Sequence, residues 1–405
     1  MKTFLVNKGI VYSYDNFLFD INQTENYCPQ FKSDDLYLYF LNLIKALVYS
    51  KPLVLIDSDI NFAEIDKLDK KFLNVSESLQ NKKFENINEI IKNVENSKSE
   101  ISLFTSGTTG QPKKVIHTIQ SLIRNVRKSN QYDNDVWAFA YNPTHMAGLQ
   151  VFFQAFLNLN SIINVFYQCR NEIYKSLEKF SITHISGTPT FYRLLMPFDK
   201  SFNSVKRVTL GGEKSDTKLY NFIEQIFPKA RINNIYASTE ACSLFSAKGE
   251  FFQIPEVIKD KIKVIDNELY IHKSLLGKSE SFVLKDDYYR TSDIIEWVDI
   301  EKGLFCFKGR ANELINIGGY KVNPSEIESI IYQLPHIVQV VVYGKSNSVL
   351  GNILCADIVL ERENRITELS IRQYLKTLVQ EYKIPRRIIF VDNIETTRTG
   401  KLKRV

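Results

Sequence analysis

Four hydroxyl side chains, two glycines and two lysines fall together in Thr105-Ser106-Gly107-Thr108-Thr109-Gly110-Gln111-Pro112-Lys113-Lys114, directly after the apolar run that ends at Leu103-Phe104. Glycines let backbone amides approach an anion closely, hydroxyls donate to it, and lysines add charge-assisted bonds, so the segment suits a polyphosphate. It is not a Walker A loop, which needs G-x-x-x-x-G-K-[ST]. Taken alone, the same residues also describe a polar surface hairpin. Four later segments carry further reactive groups: Tyr236-Ala237-Ser238-Thr239-Glu240, Tyr289-Arg290-Thr291-Ser292-Asp293, Phe307-Lys308-Gly309-Arg310-Ala311-Asn312-Glu313 and Thr397-Arg398-Thr399-Gly400-Lys401. Singly, each has a structural reading as well, as a helix start, an Asx turn or a solvated tail.

These residues need a scaffold, and the pattern predicts one. Leu36, Tyr39, Leu43 and Leu47 recur at helical spacing, and Pro52-Leu53-Val54-Leu55-Ile56 reads as a strand after that helix. Residues 66–99, rich in Lys, Asn and Glu, read as surface loop and helix. From Glu100 to about Phe305, short apolar runs at 135–141, 162–166 and 205–210 alternate with helical patterns. That alternation predicts an α/β domain with a largely parallel sheet. The last hundred residues read as a smaller α+β unit. Its helix at 324–333 opens with Asn323 as cap, Pro324 in the first turn and Glu326 in the capping-box position. Strands follow at 337–343 and 354–360, then a helix from near Ser370 with Gln373 in the box position, and a strand at 387–391.

At 405 residues the chain suits two domains, and its 44% apolar share is that of ordinary globular proteins. The net charge of +6 is spread along the sequence and no Lys/Arg run alternates with aromatics, so nucleic acid is not an expected partner. Five scattered cysteines without C-x-x-C spacing read as reduced thiols of a cytoplasmic protein. The five histidines form no metal-binding pattern. The first residues are too short an apolar stretch for a signal peptide, and no later run is long enough to span a membrane.

The five segments, in this order, resemble the signature set of the adenylate-forming (AMP-binding) superfamily, which includes acyl-CoA synthetases and adenylation domains; the resemblance covers the chain from about Ser102 to its end. It implies a large N-terminal α/β domain (1–310) holding ATP and a carboxylate, and a small mobile C-terminal α+β domain (311–405). By resemblance, Thr105, Ser106, Gly107, Thr108, Thr109, Gly110 and Lys113 hold the β- and γ-phosphates. Thr239 bonds the α-phosphate and Glu240 holds Mg2+. Tyr236 stacks on adenine, Gly212 in Gly211-Gly212-Glu213 lies beside it, and Asp293 and Arg310 take the ribose. Lys401 reaches the developing negative charge, and Asn312 is the hinge. Gly318 and Gly319 let a pantetheine arm pass close to backbone. His145, in Pro143-Thr144-His145-Met146-Ala147-Gly148, borders the acyl pocket, or is a core histidine.

The chain also departs from the family pattern. Ala237 and Ser292 replace glycines, Asn312 stands at the usual hinge aspartate or lysine, and the region before the phosphate loop is shorter than in most members. The implied function is a carboxylate–CoA ligase similar to o-succinylbenzoate–CoA ligases, using ATP, Mg2+ and coenzyme A. The alternative is a stand-alone adenylation enzyme that loads a carrier protein. A nucleotide-binding regulatory protein without catalysis is a third reading, against which the presence of Glu240 and Lys401 argues. Adenylation domains of the family that take α-amino acids usually carry an aspartate in the H-x-x-G neighbourhood, where this chain has Pro143-Thr144-His145-Met146; the resemblance thus disfavours an α-amino acid and leaves aryl, o-succinylbenzoate-like and short-to-medium fatty acids open. The aromatic residues Phe152, Phe153, Phe156, Phe191 and Tyr192 read as core or as pocket.

Overall fold

The computed structural model describes residues 2–23, 25–58, 70–80, 82–105, 113–196, 199–317, 320–347, 351–361, 366–397 and 400–404. Its centre is a mixed sheet. One half is parallel: strands Val136–Phe139, Ser161–Asn164, His184–Gly187, Arg207–Gly211 and Arg231–Ser238 run side by side, and Thr3–Asn7 joins parallel to Ser161–Asn164. Helices Met146–Phe156, Arg170–Lys179, Pro189–Arg193 and Thr217–Ile226 lie between successive strands of this half in sequence. Such connections bring the carboxyl ends of the strands to one edge.

The other half is antiparallel. From Cys242–Lys248 onward the strands pair through hairpins, ending with Tyr288–Asp299 against Leu304–Arg310. The expectation of a largely parallel sheet therefore holds for 136–238 and fails for 242–310. The reason lies in the turns: Asp266-Asn267 and Asp286-Asp287 both have positive φ at the two successive residues, as do Gly249 and Gly303 singly. Short loops of this kind close antiparallel hairpins and leave no length for a crossover helix.

A second sheet, with strands Gln30–Lys32, Leu53–Ile56, Glu100–Thr105 and Lys113–Thr118, lies earlier in the chain. Helix Leu36–Val48, capped by Asp35, falls between two of its strands, as the apolar spacing predicts. The aromatic core here is dense: Phe40 stacks on Phe152 at 4.1 Å, and Phe152 on Phe156 at 5.3 Å. Phe152, Phe153 and Phe156 are fully buried, and the Tyr192 hydroxyl donates to Ile185 O and Thr209 O, so these aromatics are core. No helix among the described residues is long and apolar enough to cross a membrane.

The last hundred residues build a three-stranded sheet, Ile337–Asn347, Gly351–Leu360 and Arg387–Phe390, with helices Pro324–Ile331 and Glu368–Lys376. They have a core of their own around Ile327, Val340, Ile358 and Ile371. Two cap assignments differ from expectation. Asn323 does cap its helix, accepting from the Ser325 amide, but Glu326 turns outward to Lys383 at 2.8 Å. The second helix starts earlier, at Glu368, because Thr367 and Ser370 form the reciprocal box in place of Ser370 and Gln373.

Ser292 takes φ +64° immediately before Asp293. A non-glycine residue in that region costs roughly 1–2 kcal/mol, against about 0.5–1 kcal/mol for the extra unfolded-state freedom of glycine. The strain is the larger quantity. Ser292→Gly is therefore expected to raise stability by about 0.5–1 kcal/mol, read as a higher urea midpoint at unchanged slope.

Candidate active site

The carboxyl ends of the parallel strands lie along one edge of the sheet. Tyr141 and His145 follow the strand Val136–Phe139, Thr188 follows His184–Gly187, Gly211-Gly212-Glu213 ends Arg207–Gly211, and Thr239-Glu240 ends Arg231–Ser238. Open α/β sheets bind ligands at this edge. Gly212 sits at φ +84°, and a Cβ there would stand 3.5 Å from Lys401 Cε. The lysine thus enters from the small unit onto backbone that carries no side chain.

Several contacts seat that lysine. The Thr188 hydroxyl donates to Gly400 O at 3.0 Å, while Glu213 accepts from the Thr190 amide at 2.9 Å and the Thr190 hydroxyl at 3.1 Å. Burial first, and then the Arg310 charge, push the Lys401 pKa below the ordinary lysine value; Glu213, Glu313 and Asp293 pull the other way. Farther out, Lys218 Nζ donates to Tyr332 O at 3.0 Å and Leu334 O at 2.7 Å, just past the helix Pro324–Ile331. Arg193 bonds Asp216 at 2.6 Å and lies 4.1 Å over the Tyr332 ring.

Asp293 and Arg310 are directly opposed across neighbouring strands, and Arg310 Nε donates to Asp293 Oδ1 at 2.8 Å. The Tyr236 hydroxyl donates to Asp293 Oδ2 at 2.5 Å. Burial, then the Asp293 carboxylate, hold Tyr236 well above the usual tyrosine range, and Asp293 holds Arg310 above its own. Tyr236 also stacks on Phe307 at 4.6 Å, with Phe245 at 5.4 Å. These three predicted site residues are therefore joined by direct bonds. Thr105 and Lys113 are cross-strand partners at the end of a hairpin. Ser106, Gly107, Thr108, Thr109 and Gly110 lie outside the described residues, as do Gly318 and Gly319. Asn312 sits exposed in the short turn Ala311–Glu313, between Arg310 and the small unit.

His145 precedes the helix Met146–Phe156, with Nε2 3.4 Å from the buried carboxylate of Asp57. Asn142 donates to the same oxygen at 2.9 Å. Gly148 of the H-x-x-G motif is required sterically, because a Cβ there would stand 2.3 Å from Asn142 O. Tyr141 reaches toward the strand Arg207–Gly211, its hydroxyl 3.8 Å from where a Gly211 Cβ would be. Sequence reasoning missed Asp57, Thr188, Thr190, Tyr141 and His117. Only Thr188 carried a local signal, the Thr-Pro start of a short helix, capped by its hydroxyl on the Phe191 amide.

A magnesium ion fits this site as a companion of the triphosphate. Among the described residues no group of three or more His, Cys, Asp or Glu side chains could hold a metal, whereas Glu240 offers one carboxylate. One carboxylate plus substrate phosphates is the ordinary magnesium donor set.

The family model described as AMP-binding enzyme matches residues 44–268, and the AMP-binding enzyme C-terminal domain matches 326–401. The chain is 28% identical over 358 residues to 4-hydroxybutyrate–CoA ligase 1 of Metallosphaera sedula, covering 75% of this chain and 61% of that protein's length. It is 27% identical to 2-succinylbenzoate–CoA ligase of Staphylococcus epidermidis, over 75% of this chain and 68% of that enzyme. Among solved structures, o-succinylbenzoate CoA synthetase from Bacillus subtilis with its acyl-adenylate intermediate superposes with a TM-score of 0.72 at 17% identity, covering 99% and 94% of the two chains. ATP-bound MatB from Rhodopseudomonas palustris gives 0.73 at 16%, with the same coverage. The fold is thus that of adenylate-forming enzymes, and with more than half its length matched by the first model, this chain belongs to the AMP-binding enzyme family.

Proposed function

We propose that the protein is an ATP-dependent carboxylate–CoA ligase, built as units 1–310 and 311–405. The observation that carries this reading is the meeting of Lys401 with Gly212 beside the Tyr236–Asp293–Arg310 group. A carboxylate and a triphosphate repel, so joining them needs fixed positive charge and fixed geometry in a site screened from water. In the first half-reaction a carboxylate oxygen bonds to the α-phosphorus as the bond to pyrophosphate breaks. Lys401 and Thr239 stabilise the charge that develops, Thr105 and Lys113 help hold the phosphates, and Glu240 takes the magnesium that accompanies them. Asp293 receives the ribose hydroxyls, with Arg310 fixing its second oxygen, and Tyr236 lies against the adenine.

The second half-reaction needs a thiol at the acyl carbon, with AMP leaving. Lys401 and Gly400 lie against that edge of the sheet in the present arrangement, so access requires the small unit to turn about Asn312 and bring the 318–319 segment inward. Coenzyme A is the acceptor we favour. The five cysteines are all unpaired, which supports a reducing, cytoplasmic setting. The likeness to the two CoA ligases supports a small organic acid as the substrate. The decisive experiment is pyrophosphate exchange over a panel of 4-hydroxy, o-succinylbenzoate-like, aryl and short fatty acids, followed by transfer to CoA or to a loaded carrier protein. Transfer to a carrier with none to CoA overturns the acceptor assignment, and no exchange with any acid overturns the ligase reading.

Removing one preorganised donor to developing charge lowers a rate by about 10²–10³. Lys401→Ala is expected to lose pyrophosphate exchange to that extent while retaining thioester formation from supplied acyl-adenylate; near-normal exchange would refute the role.

The depressed pKa of Lys401 sets a pH dependence. The cation is present below that pKa and is lost as pH rises through it, so kcat/KM for ATP is expected to fall on an alkaline limb below the ordinary lysine range. Lys401→Arg, which stays charged, should move the limb upward, and an unmoved limb would assign it to another group.

Hydrogen bonds to a charged acceptor contribute about 1.5–3 kcal/mol each. Wild type is therefore expected to bind ATP more tightly than 2′,3′-dideoxy-ATP, and Asp293→Ala to bind the two nearly alike. Equal discrimination by both proteins would remove Asp293 from the ribose site.

A further inference from the structure

The turn bearing Thr239 and Glu240 is held from outside itself. Cys242 takes φ +58°, and the three carbonyls before it each receive a donor from another segment. His117 Nε2 lies 2.7 Å from Thr239 O, the Gly277 amide 2.8 Å from Glu240 O, and Arg124 Nη2 2.7 Å from Ala241 O. His117 lies on the strand Lys113–Thr118, and Arg124 closes the short helix that follows. Gly277 is fastened to the same strand, since its neighbour Lys278 exchanges both backbone bonds with Ile116 at 2.8 Å.

His117 is 1% exposed, and both its ring nitrogens are engaged. A carbonyl can only accept, so Nε2 carries the proton, and Nδ1 of the neutral ring is an acceptor. Ser121 Oγ is 3.1 Å from Nδ1 but directs its hydrogen to Thr118 O at 2.9 Å. The Cys242 thiol, 3.7 Å from Nδ1, is a weak donor to that acceptor and agrees with the tautomer set by the Thr239 carbonyl. Room for the ring depends on Gly277, where a Cβ would stand 2.6 Å from His117 Cε1.

We propose that His117 is a positioning residue for the nucleotide: it ties the Thr239 carbonyl to the strand that begins at Lys113, and so fixes the Thr239 hydroxyl and Glu240 carboxylate relative to Thr105 and Lys113. A triphosphate held between two segments is sensitive to their spacing, and a displacement of about 1 Å costs on the order of 10² in rate. What the turn does rests on the ligase reading; how it is held does not. A histidine that merely filled the core would affect folding and leave the handling of magnesium and nucleotide alone.

The test compares His117→Gln, whose amide nitrogen can still reach Thr239 O, with His117→Asn, which is too short, and His117→Leu, which has no donor. At saturating acid, the Leu and Asn variants are expected to lose about 10² in pyrophosphate-exchange kcat, with a raised magnesium requirement and an unchanged KM for the acid. The Gln variant should recover to within about tenfold of wild type. Gly277→Ala, which displaces the ring without altering it, should reproduce the loss. Should the Leu variant not fold, the Gln–Asn contrast decides the matter alone. The proposal is overturned if Asn and Gln variants are equally active, or if kcat is unchanged in all. Calorimetric binding of ATP with and without magnesium separates this from a failure of the ligase reading. Even if wild type exchanges with no acid, the Leu and Asn variants should lose the magnesium-dependent part of ATP affinity, and retaining it overturns the inference.

Discussion

A lysine ammonium removed from water is unfavourable unless anions or dipoles compensate it, and the placement of Lys401 is the constraint on which the rest of the arrangement turns. Gly212, at φ +84°, takes a backbone conformation that favours glycine, and the lysine lies against that bare backbone. Glu213, Glu313 and Asp293 must stand near enough to offset part of the desolvation, because Arg310 opposes it. Glu213 is itself fixed by two bonds from Thr190, and Gly400 by one from Thr188. The strand ends of the large sheet and the tail of the small unit are thus parts of one electrostatic arrangement, which a bound triphosphate would complete.

The Tyr236–Asp293–Arg310 group shows the same economy. One carboxylate accepts from a phenol on one strand and from a guanidinium on the neighbour that opposes it. Both oxygens are therefore oriented before any ligand arrives, which is the form of preorganisation that positions a substrate without reorganisation cost. The strained Ser292 directly before Asp293 lies at a register irregularity of its strand, so local backbone conformation and carboxylate position are set together.

Much of this was legible in the sequence because the relevant residues sit in short, ordered motifs. Tyr236, Asp293 and Arg310 come from three separate motifs and converge by direct bonds, and helix Leu36–Val48 follows from its apolar spacing alone. Residues that act across elements were not legible. Asp57 meets His145 over 88 positions and His117 meets Thr239 over 122, and neither pairing leaves a local pattern. The antiparallel half was misjudged because apolar runs look alike in parallel and antiparallel strands, although Asp266-Asn267 and Asp286-Asp287 already marked hairpins. Cap positions slipped where two hydroxyl residues competed, as Thr367 and Ser370 did.

Where the helix Thr217–Ile226 meets Tyr332 and Ile337, polar contacts run beside the apolar side chains of Leu219 and Phe222. Lys218 on two carbonyls past a helix end, and Arg193 over the Tyr332 ring, are polar interactions whose partners can each be replaced by water. Arg193 also bonds Asp216 at 2.6 Å, a partner that does not involve Tyr332. An apolar seam of the same extent would make separation expose hydrophobic surface every time, and would favour one arrangement regardless of ligand. For the turn about Asn312 proposed above, polar contacts of this kind act like a detent, defining a resting position that water can take over when the bound molecules change.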